Sequence, residues 1–136
     1  MTTTKGRDGT AAKKRKLNEA IEILAAFGFG PRQRNEGAAY TLLAMLDLKP
    51  NQPWSVAAAP LRGITPIIEF IAGVYGVRYA PNTRETIRDE AVKFFVEAGL
   101  LVRNPDDLSR PTNSGKTVYQ VEECALEVLR CFDSLE

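Results

Sequence analysis

Residues 64–121 order their signals as helix, tight turn, helix, then two short β-compatible runs, and no other stretch restricts the fold as strongly. Thr65-Pro66 reads as a helix start, because threonine caps and proline is tolerated at a first helical position whose N–H would lack a partner anyway. Ile67, Ile68, Ile71, Val74 and Tyr75 then leave little polar face, so this helix is expected to be heavily buried. Gly76 ends it, and Val77 stands where an apolar side chain plugs the turn between two packed helices. Asn82-Thr83-Arg84-Glu85 resembles a capping box, with Asn82 accepting from the first turn and Glu85 reaching back. The helix it opens is expected to place Ile87, Ala91, Phe94 and Ala98 on one face, with Phe95 beside them, until Gly99 stops it. Residues 100–103 and 117–121 are the two β-compatible runs, joined by a stretch rich in Asn, Asp, Pro, Ser and Gly. The predicted fold class is mainly α with a small β-hairpin: a winged helix-turn-helix with extra N- and C-terminal helices.

The flanking segments supply those extra helices. Leu17, Ala20, Ile21 and Leu24 recur at helical spacing until Gly28 and Gly30-Pro31 break the pattern. Asn35 is a candidate N-cap for a helix carrying Ala39, Leu42, Leu43 and Leu46 inward, closed before Lys49-Pro50. Residues 50–63 are irregular, with Trp54 as a packing anchor rather than a base-stacking platform. A last helix over residues 122–132 carries Ala125, Val128, Leu129 and Phe132 at core spacing. Cys124 and Cys131 share that helix about two turns apart, roughly 10 Å, which is too far for a disulfide; both are expected as reduced core residues. The length of 136 residues and a hydrophobic fraction of 44% suit one core-forming domain. We assign residues 1–12 to a flexible basic arm and residues 13–136 to the domain. No apolar run is long enough to cross a bilayer and none follows Met1 as a secretion signal would, so a cytoplasmic protein without membrane contact is expected.

Charge is informative through its distribution. The formal net charge is only +1. Residues 1–34 nevertheless hold Lys5, Arg7, Lys13, Lys14, Arg15, Lys16, Arg32 and Arg34 against Asp8, Glu19 and Glu22, a pattern compatible with phosphate contacts or with a solvated helix start. In a helix-turn-helix the second helix presents its N-terminal turns to the major groove, where arginine bonds guanine bidentately. Here those turns offer Asn82, Thr83, Arg84, Glu85 and Arg88. Arg84 and Arg88 share one flank at a spacing where like charges repel unless an anion or a carboxylate lies between them. Glu85 could neutralise Arg88; a phosphate or a guanine is the other reading. The hairpin tip, with Asn113, Ser114 and Lys116, suits either a DNA contact or a solvated loop.

Catalytic constellations are missing from the sequence. It contains no histidine, which excludes the common triads and His-containing zinc sites. Phe27-Gly28-Phe29-Gly30 is a helix stop and matches no nucleotide-binding fingerprint. Pro105-Asp106 supplies half of a PD-(D/E)xK nuclease motif, but Ser114 stands where the acid preceding Lys116 would be required. No catalytic residue, metal ligand, cofactor or small-molecule substrate is therefore expected in this chain.

One ordered series of motifs goes further. It comprises Leu61-Arg62-Gly63-Ile64-Thr65-Pro66-Ile67-Ile68-Glu69-Phe70-Ile71, then Tyr79-Ala80-Pro81-Asn82-Thr83-Arg84-Glu85-Thr86-Ile87-Arg88 and Phe95-Val96-Glu97-Ala98-Gly99-Leu100. Asn104-Pro105-Asp106-Asp107, Arg110-Pro111, Asn113-Ser114-Gly115-Lys116 and Val118-Tyr119-Gln120 follow. The series resembles the N-terminal domain of the BsuBI/PstI restriction endonucleases, over roughly residues 17–132. The resemblance implies a DNA-binding domain of a type II enzyme that cuts the palindrome CTGCAG, acting on double-stranded DNA as a homodimer in the full enzyme. Hydrolysis would belong to a Mg2+-dependent PD-(D/E)xK domain not included in this sequence. Two other readings stay open: a free-standing winged-helix DNA-binding regulator, and an interaction module that docks on a nuclease domain without touching DNA.

Overall fold

The helix around which the others pack is α2 (Glu36–Met45), and its sequence explains why. Ala38, Ala39, Leu42, Leu43, Ala44 and Met45 are all buried, so this helix is apolar nearly all round, as a central core helix must be. Asn35 caps it as expected, its side chain accepting from the Ala38 amide at 2.9 Å. The computed structural model describes residues 2–111 and 114–132, with side chains described from Thr10 onward. Before α2 lies α1 (Thr2–Ala26), which buries Leu17, Ala20, Ile23 and Leu24 against it. Because α1 starts at Thr2, the segment assigned to a separate arm is continuous with the first helix.

After α2 the chain passes a single turn at Trp54–Val56 and enters α3 (Ile64–Phe70), extended by a π-helical turn over Ile71–Tyr75. Trp54 is fully buried, in keeping with a packing anchor. The start of α3 differs from expectation. Gly63, not Thr65, is the N-cap, which leaves the Thr65 hydroxyl free for another element. Gly76 ends this helix in the left-handed region at φ 74°, and Val77 packs partly buried against the core. Burial pushes the Tyr75 phenol above the usual tyrosine range, while its hydroxyl donates to the Leu48 carbonyl at 2.8 Å.

A second helical rod follows: α4 (Thr83–Ile87), a π-helical turn (Arg88–Val92) and α5 (Lys93–Glu97). Here the expected burial pattern is corrected. Ile87 and Ala91 face inward as predicted, but Val92 and Phe95 continue the buried face, while Phe94 is 38% exposed and Ala98 lies outside. The cause is the π turn, in which the Lys93 amide reaches back five residues to the Arg88 carbonyl. One extra residue per turn rotates everything after it by about 100°, which carries Phe95 to where Phe94 would point. Phe95 meets Phe29 edge-on, ring centroids 5.3 Å apart. Asn82 is also corrected: its backbone is already helical and its side chain makes no capping bond, so the turn is closed by the Thr83 amide bonding the Ala80 carbonyl.

Gly99, at φ 84°, turns the chain into β1 (Leu101–Arg103), which pairs antiparallel with β2 (Tyr119–Val121) in the register Leu101↔Val121 and Arg103↔Tyr119. On its other edge β2 receives Arg62, whose backbone exchanges two hydrogen bonds with Tyr119 at 3.0 and 2.9 Å. The Arg62 guanidinium then reaches the Ala44 carbonyl (2.6 Å) and Asp47 (2.8 Å) and covers the Phe70 ring. One side chain thus ties the end of α2 and α3 to the hairpin. The chain finishes with α6 (Glu123–Arg130), capped by the Glu122 carboxylate, whose bonds from the Cys124 and Ala125 amides hold it below the usual carboxylate range. Ala125 and Leu129 are buried. Val128, Cys124 and Cys131 face outward, against expectation, because so short a helix lays only one narrow stripe on the core. The acidic neighbours, Glu122 foremost with Glu127 and Glu123, push the Cys124 thiol upward. Among the described residues no helix is long and apolar enough to cross a membrane.

Candidate nucleic-acid interface

The leading end of α4, the start of α3 and the tip of the hairpin converge on one cleft of about 250 Å³. Its lining includes Gly63, Thr65, Arg84, Arg88, Ser114 and Thr117. The Thr65 hydroxyl accepts a hydrogen bond from the Arg84 guanidinium, which fixes that arginine across the gap between the two helices. Arg88 is half-exposed and donates through Nε to Asp89 at 3.0 Å, so its partner is the adjacent acid and not Glu85. That bond raises the pKa of Arg88 and leaves its two terminal nitrogens for the cleft.

The close approach of the hairpin to α3 depends on a missing side chain. A Cβ placed on Gly63 would stand 2.9 Å from the Thr117 carbonyl oxygen, a backbone atom that cannot swing aside. Gly63→Ala is therefore expected to destabilise the domain by about 1–3 kcal/mol through forced backbone displacement. Gly115→Ala, with nothing within 4 Å, should leave thermal unfolding unchanged. Equal melting temperatures for the two variants would show that α3 and the hairpin are not in backbone contact.

At its base the hairpin is locked by Asn104, which is buried in a left-handed conformation at φ 49°. Its side-chain oxygen accepts from the Val118 amide and from Arg110, both at 2.9 Å. Arg110 in turn holds Asp106 through two bonds at 3.1 and 3.0 Å, which keeps the Asp106 carboxyl below its ordinary range. Both residues are committed to the loop's own geometry. Among the described residues no group of three or more His, Cys, Asp and Glu side chains is arranged to hold a metal ion.

The predicted site residues therefore separate. Arg84, Arg88 and Ser114 come together in the cleft. Asn82, Glu85 and Lys116 are exposed but lie outside its lining, the Lys116 amide bonding the Ser114 hydroxyl at 3.0 Å. Thr83 turns toward α2, lining a crevice with Asn35, Ala38 and Ile87. Asn113 lies outside the described residues. Sequence reasoning missed Gly63, Thr65 and Thr117. Thr65 was hidden because a Thr-Pro pair reads as a cap; its use as a partner of Arg84, 19 residues later, has no local signature. Lys16, counted among the N-terminal basic residues, is in fact buried, bonding the Gln52 carbonyl at 2.6 Å and Glu19 at 3.4 Å.

Over residues 14–136 the chain matches the family described as the BsuBI/PstI restriction endonuclease HTH domain. It is 44% identical over 120 residues to the type II restriction enzyme BsuBI of Bacillus subtilis, covering 88% of this chain and 38% of that protein. It is 36% identical over 118 residues to the type II restriction enzyme AplI of Arthrospira platensis, covering 87% of this chain and 36% of that protein. Among solved structures, that of the SdaI restriction endonuclease superposes with a TM-score of 0.79 at 32% identity, over 85% of this chain and 38% of the other. The chain thus spans little more than a third of the length of these relatives.

Proposed function

Because the chain belongs to the BsuBI/PstI restriction endonuclease HTH-domain family, we propose that it is the DNA-binding part of a type II restriction endonuclease. In this reading the fold is a winged helix-turn-helix. The helix α3 with its π turn, the turn after Gly76 and the α4–α5 rod form the motif; β1 and β2 form the wing. Arg62, paired to β2, is the remnant of the strand that winged domains carry before the motif. The two-fold symmetry of CTGCAG suits a homodimer in the full-length protein, each copy gripping a half-site. Hydrolysis would be the task of a Mg2+-dependent PD-(D/E)xK domain outside these 136 residues.

The observation that carries this reading is the convergence of Arg84, Arg88 and Ser114 on a cleft lined by no carboxylate. One fact favours the alternative, an interaction module. Over residues 80–121 Arg84, Arg88, Lys93, Arg103, Arg110 and Lys116 are balanced by Glu85, Asp89, Glu90, Glu97, Asp106 and Asp107. Fluorescence anisotropy with a duplex bearing CTGCAG separates the two. A DNA-binding domain should bind with an affinity that falls linearly on a log–log plot against salt, by about 0.9 per phosphate neutralised. Absence of any salt-dependent binding would overturn the reading in favour of the module.

A further inference from the structure

We infer that this cleft is a clamp for one phosphodiester of the DNA backbone, and that Arg84 and Arg88 position the domain on the duplex without reading its sequence. The inference rests on the DNA-binding reading and specifies which part of the nucleic acid the site takes.

Composition of the lining comes first. Two guanidinium groups line the space with Thr65, Ser114, Tyr119 and Thr117, whose hydroxyl donates to the Ser114 carbonyl at 2.9 Å, and no acid is among them. A guanine edge presents acceptors to arginine, but it carries no formal charge. A phosphodiester presents acceptors together with a negative charge, which matches a lining of two guanidinium groups and no acid. Arg88 meets Asp89 through Nε alone, so its terminal nitrogens and the Arg84 guanidinium, four residues away on the same flank, can share one anion.

Geometry points the same way. A base reader must project beyond the domain surface into a groove. Arg84 is instead drawn sideways by the Thr65 hydroxyl, across to the start of α3. The cleft is recessed between three backbone segments, and its floor includes Tyr119, only 4% exposed. A backbone phosphate can settle in such a recess while the bases remain outside, facing the exposed Asn82, Glu85 and Thr86.

The test compares the wild-type chain with the R84A/R88A double variant on two duplexes, one carrying CTGCAG and one with those six base pairs scrambled. A clamp predicts that the double variant loses affinity for both duplexes by the same factor, about tenfold or more, with an unchanged melting temperature. Its salt slope should fall by about one. A selective loss on the CTGCAG duplex would make the arginines base readers and overturn the clamp. So would an unchanged slope with unchanged affinity, which would place the contact elsewhere. If the wild-type chain binds neither duplex, the DNA-binding reading itself fails, and that result is distinct from the other two. Replacing chloride by inorganic phosphate at equal ionic strength forms the last arm. Weakening of wild-type binding that the R84A/R88A variant does not share supports an anion site at the two arginines; equal weakening of both would place the competition elsewhere and overturn the clamp.

Discussion

Replacing Phe95 by alanine should destabilise the domain by about 3–5 kcal/mol, whereas the same truncation at the adjacent Phe94 should cost roughly 0.5 kcal/mol. Phe95 is fully buried, edge-on to Phe29, and sits where α5 meets the hairpin. Its loss removes the transfer energy of a phenyl ring and leaves a hole that a close-packed core relaxes into only partly. Phe94 is 38% exposed and surrenders far less apolar contact. Chemical denaturation of both variants, read as shifts of midpoint at constant slope, checks the contrast. A regular helix over residues 83–97 predicts the reverse order, with Phe94 as the costly site. The pair of variants therefore tests the π turn as well as the packing.

The second large effect lies where α1 meets the turn at Trp54. Glu19→Leu should cost roughly 3 kcal/mol, although Glu19 occupies the solvent-side end of its cluster. Glu19 accepts from the Trp54 indole N–H at 2.8 Å and stands 3.4 Å from the buried Lys16 ammonium. Leucine would strand that ammonium with the Gln52 carbonyl and the Trp54 ring face, partners that do not neutralise charge. The combination Lys16→Met with Glu19→Gln should cost only about 1 kcal/mol. It removes both charges together and keeps an acceptor for the indole, whereas breaking a pair leaves an uncompensated ion. If the single and double variants unfold at the same denaturant concentration, the ion pair has no part in holding Trp54.

These two sites also show what a sequence discloses. The existence and order of the helices were legible, because apolar residues recur at helical spacing and glycines fall where φ must turn positive, as at Gly76 and Gly99. The Asn35 cap was legible because a cap is a local contact spanning three residues. The inward residue of the second rod was not, since nothing in residues 88–92 announces a π turn, and a single inserted position reassigns every side chain after it. Burial of Lys16 was hidden for a different reason. Charge counting treats every lysine as solvated, while this one finds its partners 3 and 36 residues away. The Arg84/Arg88 flank was visible as a pair lacking an obvious neutraliser, but the hydroxyls that complete its surroundings come from segments on either side that only folding brings near.

The contact between Gly63 and the Thr117 carbonyl, with the Arg62–Tyr119 backbone pair beside it, has a consequence for binding kinetics and cost. Backbone meets backbone there without a side chain to act as a compliant spacer, so the two walls contributed by α3 and the hairpin are fixed relative to each other. An incoming strand would meet a mould already set to its final form. Little ordering entropy then remains to be lost at contact, and more of the electrostatic attraction survives as affinity.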